Sequence, residues 1–395
     1  MGLPPRQSDP RETAEALFGA ELRARREAAH LSLRQLAPQV LVSHDLLARI
    51  EKAKRRPHPD LVERLDRALD ARGQLKRLAA PFTDVLRAQP HHVSLEPDSA
   101  EPLLRDLITE VRTADHTMAA ERLTDVVAHM NAAEQAVSRV EESQRTPLVR
   151  AIAEAHQLIG WMLFDRGSVA LAEQSFADAQ RRARSAGALD LVAYIGGPSA
   201  GFMSTWSGDP ALGAERAYGS LSWARRSGNR RLTAFVATMA ARAHAKMGEA
   251  DLCTQMLVEA ETELSRHRPE TPDPVWLEVF DEAALAGHRG SCLLDLDQPR
   301  RAVDALREQE STSPAAFLRN RTIWQLEQAE AQLRMGENEA AAATVDQAML
   351  SVVASSLTPR VERIFRSIAL SLNASVDPVV LDTAARLDVF IAACG

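Results

Sequence analysis

Aromatic residues make up only 4% of this 395-residue chain, and just two of them are tyrosines. Strands draw on aromatic and β-branched side chains, so this shortage, beside abundant alanine and leucine, points away from sheets and toward helices. Cysteine is scarcer still: Cys253, Cys292 and Cys394, with no Cys-x-x-Cys pair. That excludes a zinc knuckle or a disulfide framework and fits a reduced compartment. No apolar run approaches the roughly 18 residues of a membrane span, and MGLPPRQSDPRE lacks the apolar core of a signal peptide. A cytoplasmic protein with no membrane partner is expected. Catalytic signatures are missing too: there is no Walker loop, no His-Glu-x-x-His and no Gly-x-Ser-x-Gly. Glu141-Glu142 and Asp281-Glu282 fall on charge-rich helices, and His156, His244 and His288 are scattered singly. The adjacent His91 and His92 have no cysteine or carboxylate at helical spacing. No enzyme, cofactor or metal is expected.

What is present is a polarised chain. The length allows two or three domains, and 45% hydrophobic with 26% charged residues is an ordinary globular balance. The net charge of −7 is unevenly spread: Glu21 to Arg77 carry fourteen Lys/Arg against eight Asp/Glu. A basic head on an acidic body marks a local site for a polyanion.

Residues 1–12 are proline-rich and charged, and read as a flexible arm. Helical spacing then gives a helix from Thr13 to Ala29 with Leu17, Phe18 and Leu22 inward, and Leu31 under the turn. A second helix capped by Ser32 carries Leu33, Leu36 and Val40. In SHDLLARIEKAKRRP, Ser43 to Pro57, Ser43 is a good N-cap and Leu46, Leu47 and Ile50 face inward. His44, Asp45, Ala48 and Arg49 lie on or beside the outer face. Lys52, Lys54, Arg55 and Arg56 form a positive cluster before Pro57. Such a stretch suits a major groove flanked by phosphates, or equally a solvated basic helix end. Asp60 caps a fourth helix with Leu61, Leu65 and Leu69 that ends by Gly73, and Gln74 to Ala80 add a short fifth.

The runs FGAELRARREAAHLSLRQLA, VSHDLLARIEKAKRRP and LVERLDRALD resemble the lambda-repressor-like helix-turn-helix of the XRE family, in its actinobacterial form. The resemblance covers Phe18 to Leu78. It implies a third helix in the major groove, with Ser43, His44, Asp45 and Ala48 at bases or phosphates. It also implies backbone contacts from Arg34, Gln35, Lys54, Arg55 and Arg56. His30, Leu41 and Ala53 depart from the family's usual glycines or left-handed turn. Pro38 falls inside the second helix, and Asp45 sets a carboxylate near the DNA.

Residues 81–100 hold several prolines and read as a linker, with one helix expected over Phe82 to Ala88. From 101 to 395 the chain repeats. AHQLIGWMLFDRGSVALAEQSFADA, Ala155 to Ala179, is similar to the tetratricopeptide repeat: a helix, a turn at Gly167, and a second helix with Ala172, Phe176 and Ala179 inward. Turn signals recur at Gly208, Gly248, Asp297 and Gly336. Small residues stand seven before each turn (Gly160, Gly201, Ala241, Gly290, Ala329) and five after (Ala172, Gly213, Cys253, Ala302, Ala341). Residues 101–142 form an irregular opening pair, and Thr358 to Phe390 a closing one. Gly196-Gly197-Pro198, inside a predicted helix, can kink the stack, flex it, or mark a shortened helix start. With no Lys-Ser/Thr after it, it is not a phosphate loop.

The fold expected is therefore all-α, a five-helix helix-turn-helix head followed by a tetratricopeptide-like solenoid with an inner groove. In such arrays the first helix of each pair faces inward. That places Gln157, Trp161, Phe164, Phe202, Thr205, Trp206, Phe235, Thr238 and Arg242 on the groove, with Arg319 and Asn320 extending the row. All five tryptophans belong to the repeats. The row reads either as core between repeats or as a site for a peptide or apolar small molecule. One short helix reads few bases, so a homodimer on the paired half-sites of a double-stranded operator is expected. The chain resembles peptide-sensing regulators with an XRE head, which implies a regulator with a peptide effector, and a small-molecule effector fits this sequence as well. A protein-binding scaffold with a vestigial head is the alternative.

Overall fold

The computed structural model describes residues 10–29, 31–40, 42–52, 57, 59–69, 71, 73–76, 78, 93–116, 122–268, 272–312, 317–352 and 357–394. Among these residues the regular structure is helical throughout, with no strand. The expected arm residues 1–9, the linker helix over 82–88, His91 and His92 lie outside the described residues.

The head comprises α1 (Pro10–Ala28), α2 (Leu33–Gln39), α3 (His44–Glu51) and α4 (Pro59–Ala68), and residues 74–76 and 78 are also helical. Phe18, Leu22, Leu36, Val40, Leu47, Ile50 and Leu65 are each at most 1% exposed and form one core. α1 starts at Pro10, three residues earlier than expected, because proline has no N–H to lose in a first turn. α4 stops at Ala68, short of Gly73. The buried Asp66 carboxylate accepts the N–H groups of Gly73 (2.6 Å) and Leu75 (2.9 Å), so it caps the next helical turn. Pro38 does sit inside α2, but exposed and one residue from its end, where little of the helix remains to be disrupted.

The body opens with α5 (Pro97–His116) and α6 (Leu123–Ala136), so its first helix begins before residue 101. Hairpins follow: α7 (Glu142–Asp165) with α8 (Val169–Ser185); α9 (Leu189–Tyr194), a π-helical segment (Ile195–Gly201) and α10 (Phe202–Trp206) with α11 (Pro210–Ser227); α12 (Arg230–Met247) with α13 (Ala250–Ser265). Then come α14 (Glu282–Asp295) with α15 (Pro299–Thr312), α16 (Leu318–Arg334) with α17 (Asn338–Val352), and α18 (Pro359–Asn373) with α19 (Pro378–Cys394).

Every turn read from the sequence is a left-handed residue: Gly167 (φ 79°), Gly208 (99°), Gly248 (75°), Gly336 (75°), and Asp297 (56°), where a carboxylate residue takes the glycine's place. Asp tolerates this conformation better than most side chains do. The small residues flanking those turns are where paired helices touch. A Cβ at Gly160 would meet the Phe176 ring at 2.7 Å, and one at Gly290 would meet Leu306 at 2.5 Å.

Gly196-Gly197-Pro198 neither starts nor ends a helix. It forms the π-helical segment inside a continuous helical run from Leu189 to Trp206, wholly buried. Cβ atoms there would collide with Ser220 at Gly196 and press Val236 to 3.2 Å at Gly197. The glycines let the widened turn lie against α11 and α12, which places Pro198 in the interior.

The stack coils until its ends meet. Arg319 on α16 donates to the Asp115 carboxylate on α5 (2.8 Å) and to Asp165 at the end of α7 (2.6 Å). Residues 204 apart in sequence thus close a ring around an interior chamber.

Candidate functional site

Two surfaces carry the predicted residues. On the head, Ser43, His44, Asp45 and Arg49 of the α3 region are exposed and Ala48 is half-buried, while Arg34 and Gln35 are exposed on α2. Leu47 and Ile50 anchor the opposite face in the core. α3 is held close to α1 because Gly19 has no side chain; a Cβ there would lie 2.6 Å from the Ile50 carbonyl. Arg26 clamps the far end with two bonds to Glu51 (2.6 and 2.9 Å) and one to the Leu31 carbonyl (2.9 Å).

Several of these side chains serve the helices. Ser43 Oγ accepts the Leu46 N–H (3.2 Å), the expected cap. Gln35 completes a capping box, its Oε1 accepting from the Ser32 N–H and hydroxyl (both 2.8 Å). Its amide oxygen is therefore committed to α2, a role the sequence reading did not give it. Asp45 sits in the first turn of α3, where the helix dipole favours a carboxylate. Lys54, Arg55 and Arg56 lie outside the described residues.

In the body, Trp161, Phe202, Trp206, Phe235, Arg242, Arg319 and Asn320 line one chamber of about 820 Å³, its open mouth included. Four predicted groove residues do not line it. Gln157 is 1% exposed and bridges Arg112 (3.0 Å) to Ser199 (3.1 Å) behind the wall. Phe164 packs edge-on against Trp161 and Phe202 as a second layer. Thr205 and Thr238 donate to the Gly201 and Ala234 carbonyls within their own helices. The inner helices are buried on more than one side, and a residue next to a groove position turns about 100° onto a neighbouring helix.

The rest of the lining was missed: Arg112, Asp115, Tyr194, Pro198, Met239, Val279, His288, Ser291, Ile323, Trp324, Glu327 and Arg360. Part of it was readable. Trp324 and Glu327 follow Asn320 at i+4 and i+7, and Met239 and Arg242 follow Phe235 at the same spacing. His288 was read as one of several scattered histidines, yet it stands on the wall 5.4 Å from Trp324. Of the tryptophans, Trp161, Trp206 and Trp324 reach the chamber; Trp276 is core against Tyr194 (4.5 Å), and Trp223 lies under Arg226.

The chamber's electrostatics come from burial. Burial works against the charge on Arg319, but Asp115 and Asp165 outweigh it and its pKa is raised. Arg360 shares Asp165 (Nε to Oδ1, 2.6 Å), yet burial lowers its pKa and Arg319 beside it adds repulsion. Its guanidinium sits 5.2 to 5.9 Å from the ring centres of Trp161, Phe164, Phe202 and Trp206. Arg242 has only distant counter-charges, Asp295 at 3.4 Å and Glu327 at 3.9 Å. Burial raises the Glu327 pKa against the pull of Arg242 and of the Ser291 hydroxyl that donates to it. Burial and the Arg242 charge hold His288 neutral, its pKa near 3.

Residues 17–79 match the family model of a helix-turn-helix domain. The described residues are thus all-α, with an N-terminal helix-turn-helix domain followed by a stack of helical hairpins. No curated protein sequence matches it. Among solved structures, that of Bacillus thuringiensis PlcR in complex with the peptide PapR7 and DNA aligns with 76% of this chain and 99% of its own, at 13% identity. The TM-score of that alignment is 0.29. No helix among the described residues is long and apolar enough to cross a membrane.

Proposed function

We propose that this chain is a cytoplasmic DNA-binding transcription regulator, with a reading head over residues 13–80, a linker, and an effector-binding body from about residue 101 onward. The observation that carries this reading is α3: its apolar side is locked into the head while its polar side, with Arg49 and the neighbouring Arg34, faces solvent. A short helix so presented fits a major groove, and exposed guanidiniums bind phosphates at little cost. An eight-residue helix reads few base pairs, so a homodimer on paired half-sites is part of the proposal. The last helices support it: Leu350, Leu370 and Val389 are 70 to 74% exposed, an apolar end that a second copy would cover.

The body's role is to bind rather than to catalyse. The most enzyme-like grouping, Tyr218 to His244 (2.8 Å) to Glu249 (2.6 Å), lies outside the chamber, and burial raises the Tyr218 pKa, which disfavours a phenolate. A crevice between head and body supports coupling of the two. Gln74 and Leu78 of the head share a crevice with Arg166, Gly167 and Pro359, the immediate neighbours of Asp165 and Arg360. A peptide or small molecule that shifts those two residues would move the head's seat.

Sequencing of genomic fragments retained by the purified chain tests the reading. A small set of sites should be enriched, and Arg34→Ala with Arg49→Ala should weaken binding at them by about tenfold or more and flatten its salt dependence. Retention indistinguishable from bulk DNA would refute it.

A further inference from the structure

The guanidinium of Arg360 is only partly satisfied. Arg112 has the Glu154 carboxylate and Gln157 beside it, whereas Arg319 and Arg360 share Asp165 and Arg319 also takes Asp115. Arg319 and Arg360 are each 3% exposed, and a buried guanidinium with an N–H lacking an acceptor is a costly arrangement that a bound anion relieves. Arg360 carries that cost. Its Nε faces Asp165, which Arg319 also uses, while its Nη2 has no hydrogen-bond partner. The aromatic faces around it favour a cation but accept none of its N–H bonds in the way an oxygen does. The opposite polar group differs: Arg242 also has N–H groups without a hydrogen-bond partner, but two carboxylates, Asp295 and Glu327, stand within 3.9 Å of it.

We propose that the chamber takes a ligand with a single carboxylate on an apolar body, the carboxylate seated on Arg360 and the body among Trp161, Phe202 and Trp206. The inference rests on the effector-binding reading of the body and adds the chemical class. One under-used guanidinium among apolar walls favours a monoanion over the more strongly hydrated phosphate dianion. The tryptophan and phenylalanine walls select apolar substance behind it. A free carboxylic acid and the C-terminus of a short apolar peptide share this chemistry.

Calorimetric titration of the full chain separates the possibilities. The probes are 4-phenylbutyrate against 4-phenylbutyramide, and Ala-Leu-Leu-Phe with a free against an amidated C-terminus. The acid of at least one pair should bind at least about tenfold tighter than its amide, and the pair that does so identifies the source. Arg360→Gln should shrink that preference to under about threefold while Arg360→Lys keeps part of it, with circular dichroism and the melting midpoint reporting on folding. The acid-to-amide ratio in the unaltered chain decides the matter even if both variants unfold. Amides that bind as tightly as their acids in both pairs overturn the carboxylate but leave an effector chamber standing. Inorganic phosphate binding tighter than either acid, or no binding of any probe at about 5 mM, overturns the proposal outright. Retention of genomic DNA tests the head separately.

Discussion

Arginine does opposite work in the two halves of this protein. On the head, Arg34 and Arg49 stand in water. Their charge is solvated before and after any partner arrives, and salt screens it. In the body, Arg242, Arg319 and Arg360 are 3 to 4% exposed and fixed by carboxylates and rings. Losing water is expensive for a cation, so each must find counter-charge within the fold. The head's arginines are thus disposable for folding and suited to a changing partner, whereas those of the body are part of the architecture. Arg26 stands between them: half-buried, its doubly bonded Glu51 raises its pKa.

Four measurements would break or sharpen this contrast. Asp165→Ala should cost the most, about 3–5 kcal/mol in denaturant unfolding, because it strands Arg360 and leaves Arg319 with Asp115 alone; a loss below about 1 kcal/mol would mean water reaches the cluster. Acid should act next. His288 has a folded pKa near 3, below the ordinary 6.5, so the unfolded chain binds more protons between those values. Stability is therefore full above pH 6.5 and lost as pH falls, by about 2 kcal/mol at pH 5. Unfolding at pH 7 and 5 should show this slope reduced by about one proton in His288→Leu. A slope unchanged in that variant would show that the ring is hydrated.

Smaller effects separate glycines by their surroundings. Gly160→Ala should destabilise by about 1–3 kcal/mol through collision with Phe176, while Gly219→Ala, with open space around it, should stabilise by up to about 1 kcal/mol. Thermal midpoints moving in the same direction for both would refute the packing account. Least of all, Arg34→Ala with Arg49→Ala should shift stability by no more than about 0.5 kcal/mol while weakening DNA binding. A larger shift would mean that those side chains hold the head together.

The chain by itself determined its helices, their turns and their phase. Small residues at fixed offsets from Gly167, Gly208, Gly248, Asp297 and Gly336 record local necessities: a left-handed turn, and a close approach where a side chain would clash. These depend on neighbours within one helical hairpin, which is why they are legible. The head's core and the Ser43 cap were legible for the same reason. Seven of the chamber's nineteen lining residues were visible, four of them as an aromatic row. Arg112 and Asp115 from the first hairpin and Arg360 from the last were decided only when the stack had coiled through more than two hundred residues and joined its ends. Periodicity says which face of a helix turns inward. It does not say what that face meets, because the small rotation between one hairpin and the next accumulates along the whole stack, and the sum sets which charges come together.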